Sequence, residues 1–217
     1  MPFVNALNSA RFVILRKYCA LRGRNPLEYI YDDKFFNIGD TDYTLRDTPV
    51  LCANIIERLY HPNSVVDIGC GCGFYLNELD KRGIDILGID GSPAARRNLV
   101  ISVDKFLLQD ITERFLLPRR YDCALCFEVA EHIPTRKSEA LVANIVQLSD
   151  TVFFTAAPKG QGGHDHRNEQ NPQFWIRLFE QRGYSFKEAE TNSARKELAD
   201  KGAVFWLREN LLIFQKR

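Results

Sequence analysis

At 217 residues, with 45% hydrophobic and 26% charged residues, the chain has the size and balance of one compact domain with an N-terminal attachment. A formal net charge of +1 gives no reason to expect a polyanionic partner such as nucleic acid. No apolar run is long enough to span a bilayer, and the start lacks the apolar core and cleavage site of a secretory signal, so a cytoplasmic protein is expected.

Residues 1–25 carry Arg11, Arg16, Lys17, Arg22 and Arg24 and no acid, with apolar residues at Phe3, Val4, Leu7, Phe12, Leu15, Tyr18, Cys19 and Leu21. This spacing predicts an amphipathic helix with a basic side. Such a helix packs on its domain with solvated arginines, lies over a substrate entrance, docks peripherally on an anionic membrane or resembles a targeting peptide; the residues leave these readings open. A polar and aromatic stretch follows, so residues 1–47 are read as a helical and aromatic cap and 48–217 as the main domain. Thr48–Tyr60 has helical periodicity and stops before His61-Pro62.

From there strands are predicted at Ser64–Ile68, Ile86–Ile89, Lys105–Leu108, Cys123–Phe127 and Thr151–Thr155, alternating with helices at Tyr75–Arg82, from Pro93, and at Ser138–Leu148. That alternation implies βαβ units and a parallel sheet covered on both faces. A helix at Asn171–Arg182, a strand at Tyr184–Glu190, a charged helical insert at Ala194–Lys201 and a strand at Asn210–Lys216 complete the chain. Cys70 and Cys72 lie between glycines, and Cys123 and Cys126 are three apart on a strand, facing opposite sides. All six cysteines are read as reduced packing residues.

In an open parallel sheet, ligands bind beyond the carboxyl ends of the strands. Val65–Ile68 runs into Gly69, Gly71 and Gly73, a GxGxG turn preceded by Asp67, and an acid there suits a cationic ligand better than a pyrophosphate. Asp90 ends the second strand, where an acid accepts hydrogen bonds from ribose hydroxyls. Asp110 follows the third strand and could accept from an adenine amino group, with Leu108 or Ile111 over the ring, and Glu128 follows the fourth. Each acid alone is as readily a helix cap or a solvated loop residue; the information lies in their succession.

VVDIGCGCG, LGIDGS, LLQDI and YDCALCFEVAEHIP, in that order, resemble the motifs of class I S-adenosylmethionine (SAM)-dependent methyltransferases over roughly Tyr31 to Pro158. The resemblance implies an α/β fold with a seven-stranded, mostly parallel Rossmann-like sheet, helices on both faces and an antiparallel C-terminal hairpin strand. It also implies SAM as cofactor. Asp67, Gly69, Cys70 and Gly71 would hold its methionine end, Asp90 and Gly91 its ribose, and Gln109, Asp110 and Ile111 its adenine, with Glu128 in the turn that closes the pocket.

Methyl transfer from a sulfonium is an in-line displacement, so alignment and exclusion of water dominate, and a hydroxyl or protonated amine acceptor also needs a base. Of the four histidines, His61 reads as a surface residue. His132 follows the fourth strand; His164 and His166 lie in KGQGGHDHRNEQNPQFW, a glycine-rich loop that reads either as a mobile lid or as a loop closed by its own polar groups. His166 is assigned as base or acceptor-orienting residue, His132 second, with His164, Asn168, Gln170 and Trp175 on the substrate side. The loop, with the aromatic pair Phe174 and Trp175 after it, resembles loops of bacterial methyltransferases.

The expected reaction is therefore methylation of an oxygen or nitrogen of a small-molecule or glycan acceptor, by a monomer or homodimer. One alternative surrounds Mg²⁺ or Mn²⁺ with Glu128, Glu131, His132 and His164 or His166, resembling the enzymes that methylate the 2′-hydroxyl at the 3′ end of small RNAs; the assignment here takes no metal. Another is an inactive module that keeps the fold and binds a partner, which gives no physical reason to retain Asp67, Asp90 and the glycines.

Overall fold

A computed structural model describes residues 2–37 and 43–217, with side chains over 11–36 and 47–217. The side chains of Phe3, Val4 and Leu7, and residues 38–42 of the predicted cap, lie outside that description. In chain order come α1 (Pro2–Leu21), α2 (Leu27–Ile30), α3 (Asp33–Asn37), α4 (Tyr43–Tyr60), β1 (Ser64–Ile68), α5 (Phe74–Asp80), β2 (Asp85–Asp90), α6 (Pro93–Arg97), β3 (Phe106–Leu108) and β4 (Cys123–Cys126). They are followed by α7 (Ser138–Leu148), β5 (Thr151–Phe154), α8 (Pro172–Glu180), β6 (Tyr184–Phe186), α9 (Glu188–Asp200), α10 (Phe205–Asn210) and β7 (Leu212–Lys216).

The strands form a seven-stranded sheet in the order β3-β2-β1-β4-β5-β7-β6. The first five are parallel to their neighbours, and β7 runs antiparallel between β5 and β6, giving the α/β class and the C-terminal hairpin expected from the sequence. The order reverses between β1 and β4, which opens a crevice at their carboxyl ends. Continuous apolar runs make these strands because both faces are covered. One face packs Ile56, Leu76, Leu79 and Leu207 on Leu125 and Phe153; the other packs Leu141, Ile145, Trp175 and Phe179 on Val66, Phe154 and Phe214. Cys123 and Cys126 fall into opposite layers, and all six cysteines are free and buried.

Two C-terminal expectations are corrected. The strand predicted over Tyr184–Glu190 stops at Phe186, because β6 is a sheet edge paired only with β7 and Glu188 begins α9. Glu188 and Glu190 sit in the first turn of that helix, where acids meet the positive end of its dipole. The short helix α10 takes Asn210 away from the last strand, which begins at Leu212.

The cap is latched to α6: Arg97 pairs with Glu28 at 2.7 Å and Asp33 at 3.2 Å, and Asn98 Nδ2 donates to Asp33 at 2.7 Å. Phe12 and Cys19 form the buried side of α1. Among the described residues no helix is long and apolar enough to cross a membrane.

Candidate active site

The glycine turn after β1 is shaped by what cannot fit there. Gly69 has φ +83°, and a Cβ on it would stand 2.4 Å from Val129 Cγ2; Gly71 has φ +54°. The Gly69 N–H is satisfied by Ile89 O of β2 at 2.7 Å, so the turn is bolted to the adjacent strand end. Asp90 tightens it: Oδ2 accepts from Gly71 N at 2.9 Å and Oδ1 from Ser92 N at 2.8 Å. Asp110 caps its own turn through Thr112 N at 2.8 Å, and Gln109 N donates to Asp90 O at 2.9 Å. Gly69, Gly71, Asp90, Gly91, Leu108, Gln109, Asp110, Ile111 and Glu128 thus line one wall of a single cavity of about 620 Å³, a volume typical of small-molecule and cofactor sites.

Two members of the predicted cofactor set stand behind that wall. Asp67 is 2% exposed and its Oδ1 has no hydrogen-bond partner; burial, with Asp90 nearby, pushes its pKa up to about 7. Cys70 is buried against β2, its Sγ 2.7 Å from where a Gly88 Cβ would be, so it packs the turn and does not line the cavity. Burial also raises the Asp90 pKa, opposed by hydrogen bonds from the Ser92, Gly71 and Gly91 amides.

The opposite wall comes from the cap and from the turn after β4. Tyr31, Phe35, Phe36 and Arg16 line it together with Val129, His132, Ile133 and Arg167, and the Tyr31 ring packs edge-on to His132 at 5.6 Å between centroids. Asn25 Nδ2 donates to Gly91 O at 3.0 Å, which ties the cap to the glycine-turn wall. At the other end Arg16 forms an ion pair with Asp165, a buried residue in the left-handed region (φ 54°), and Tyr31 Oη donates to the same carboxylate at 3.3 Å.

The histidines divide their labour differently from the expectation. His132, the second choice, lines the cavity; His166, the first, lies behind it, edge-on to the His132 ring at 5.0 Å between centroids. Burial and the neighbouring His166 push the His132 pKa down to about 3, so the ring is neutral, and its buried Nδ1 has no hydrogen-bond partner. His166 Nδ1–H donates to Glu169 at 2.8 Å. His164 does not line the cavity either: Nε2–H donates to Ile30 O at 2.8 Å while its ring packs on Phe12, Tyr31 and Phe35, clasping the cap. His61 is exposed, as expected.

The loop after β5 is closed by its own polar groups, the second of the two readings its sequence offered. Glu169 accepts from Gly160 N at 2.8 Å and Gly162 N at 2.6 Å as well as from His166. Although burial opposes it, these bonds hold the Glu169 carboxyl below its ordinary pKa. Asn168 is buried and structural, donating to Ala130 O at 3.1 Å and Ser138 Oγ at 2.9 Å; Gln170 donates to Asn168 Oδ1 at 3.0 Å. Trp175 is 1% exposed and tilted against Phe154 of the core, so neither it nor Asn168 nor Gln170 reaches the cavity.

Of the metal alternative, the donor atoms of Glu131, His132 and His166 lie within 4.8 Å of one another. Glu128 is engaged elsewhere, with Asn210 Nδ2 at 3.3 Å and Gln161 Nε2 at 3.5 Å, and His164 is bound to Ile30. Glu131 is fully buried, and burial with Glu128 alongside raises its pKa well above the carboxylate range. Sequence reasoning missed Arg16, Tyr31, Phe35, Phe36, Asp165 and Arg167 as site residues. The basic side of α1, the aromatic stretch after it and the polar loop after β5 were the signals that pointed toward them.

A family model for a methyltransferase domain matches residues 44–191. The sequence is 33% identical over 100 residues to a ubiquinone biosynthesis O-methyltransferase of Nitrosomonas europaea, covering 42% of this chain and 43% of that protein. It is 28% identical over 163 residues to a magnesium-protoporphyrin O-methyltransferase of Synechocystis sp., covering 69% and 70%. The structure resembles that of a sugar N-methyltransferase from Streptoalloteichus sp. at 14% identity and a TM-score of 0.65, covering 85% of this chain and 92% of that one. The chain spans less than half the length of the first of these relatives. Because the family model covers more than half of the residues and the sheet carries the seven-strand order with its reversed hairpin, the chain belongs to the methyltransferase domain family, with the class I architecture.

Proposed function

We propose that the chain is a SAM-dependent methyltransferase acting on an oxygen of a small-molecule acceptor. The observation that carries this reading is the single cavity, with a glycine turn and strand-end acids on one wall and His132 among aromatic rings on the other. The residues fit the cofactor. The turn has no room for a side chain at Gly69, and the orphaned Asp67 oxygen beneath it suits an ammonium group. Asp90 keeps lone pairs for ribose hydroxyls after serving Gly71 and Ser92, with Gly91 beside it. Gln109, Asp110 and Ile111, with Leu108, would take the adenine, and Glu128 would close the turn after β4.

When bound, SAM would supply an electrophilic methyl group to the acceptor's lone pair, with its sulfur as the leaving group. The chain's part is to align the acceptor, keep water out and receive a proton. Neutral His132 accepts a hydrogen bond from the acceptor hydroxyl and takes its proton late, when the methylated oxygen has become far more acidic than an ordinary alcohol. A base this weak cannot generate an alkoxide beforehand. Oxygen is favoured over nitrogen because the cavity offers this neutral acceptor, and because both curated relatives described above are named O-methyltransferases. Calorimetric titration with SAM tests the cofactor reading: saturable binding is expected, and none at millimolar SAM overturns it.

A further inference from the structure

Helix α1 is amphipathic twice over. Its inner face is occupied: Phe12 packs on His164 with ring centroids 4.8 Å apart, Cys19 is buried, and Arg16 pairs with Asp165. These contacts fix which way the helix is rolled. Its outer face then presents a second apolar stripe, Ile14, Tyr18 and Leu21, at the i, i+4, i+7 spacing of one helix face. Ile14 is 69% and Leu21 85% exposed, with Tyr18 between them and Val13 alongside. Among the described residues nothing covers this stripe, and scattered apolar exposure does not produce such an alignment.

The stripe is edged by cations. Arg11, Lys17 and Arg22 flank it, all exposed, with the Arg22 guanidinium 5.4 Å from the Tyr18 ring centroid and Arg24 just beyond the helix. No acid occurs before Glu28, so these charges have no neutralising neighbour within the segment. A second copy of the chain laid face to face would oppose cation to cation. An anionic bilayer instead takes the apolar stripe into its headgroup boundary and the cations onto its phosphates.

We propose that the outer face of α1 docks the protein on an anionic lipid surface. Arg16 on the inner side of the same helix, and Asn25 and Leu27 just after it, line the cavity, so docking sets the cap side of the cavity beside the lipid surface.

Flotation of the full chain with vesicles of phosphatidylcholine alone, and of phosphatidylcholine with phosphatidylglycerol, tests the proposal. Binding is expected only to the anionic vesicles, weakening as salt rises. Replacing Ile14 and Leu21 together with Glu should abolish flotation while leaving the thermal transition and SAM binding unchanged. Replacing Lys17 and Arg22 together with Gln should weaken it about thirtyfold, at ~1 kcal/mol for each cation. Absence of flotation with the wild type, equal binding to neutral vesicles, or unaltered binding by either variant overturns docking on lipid. So does a concentration-dependent dimer, seen by light scattering, that the Ile14/Leu21 variant alone dissolves, since the stripe would then belong to a second copy.

Discussion

Replacing Asp67 with Asn tests the electrostatics of the cofactor wall before any ligand is added. The carboxyl is buried and its pKa is pushed up to about 7 from an ordinary 3.8. Below the ordinary value both folded and unfolded chains hold the proton, and the folded state bears no penalty. As pH rises through the gap, the unfolded chain ionises while the folded one does not, so stability falls by about 1.4 kcal/mol per pH unit until the folded pKa is passed. Between about pH 5 and pH 8 the wild type should therefore lose about 3 kcal/mol from this group alone, and the Asn variant none of it. Urea denaturation of both proteins at both pH values gives the double difference, in which any fixed cost of burying the amide cancels. A double difference below about 1 kcal/mol would refute the argument that Asp67 is a desolvated carboxyl. If Asp67 meets the ammonium of SAM, the same group must ionise on binding: calorimetry near pH 6 in buffers of different ionisation enthalpy should register proton release in the wild type and none in the variant, which should also bind SAM more weakly.

His132→Gln should lower turnover by about 10²-fold, the low end of general-base contributions because the ring is a weak base, with SAM affinity unchanged. With its pKa near 3, His132 should leave no inflection in the wild-type rate between about pH 5 and pH 8. A histidine-like inflection that His132→Gln removes would contradict the neutral, desolvated ring. Glu169→Gln loosens the loop after β5 by weakening three charge-assisted bonds; a destabilisation of ~1–3 kcal/mol and faster amide exchange at Gly160 and Gly162 are expected, and unchanged exchange would show the loop is held otherwise. Turnover should survive strong chelation, whereas loss restored by added Mg²⁺ would favour the metal-assisted alternative.

What could be read in advance was local. Gly69, Gly71, Asp90 and Asp110 each sit within a few residues of the strand end that aims them, so periodicity and turn chemistry carry their meaning in contiguous sequence. The acceptor wall is different: Arg16 meets Asp165 across 149 positions, and no period or motif joins residues so far apart. The histidines of the loop after β5 stood at the right sheet edge, but a loop's backbone path decides which ring faces inward, and here it is set by Glu169 and by Glu131 O accepting from Arg167 N and Asn168 N. Trp175 did carry a readable signal. Phe179 follows it at i+4 on α8, which is the spacing of a core-facing stripe, and Phe179 stacks on Phe214 with centroids 4.1 Å apart. The predicted β6 ran too long because Lys187 still meets the partner strand, its N donating to Ile213 O at 2.8 Å, before Glu188 turns the chain into α9.

One segment, residues 16–31, touches both ends of the cavity: Asn25 holds Gly91 on the cofactor wall, and Arg16 and Tyr31 hold Asp165 at the other. Lifting it uncovers both ends at once. Ligands on the two sides therefore meet one shared segment, already held by its bonds to Gly91 and Asp165. Whatever change one ligand makes in those bonds is felt by the other, and by reciprocity with the same factor.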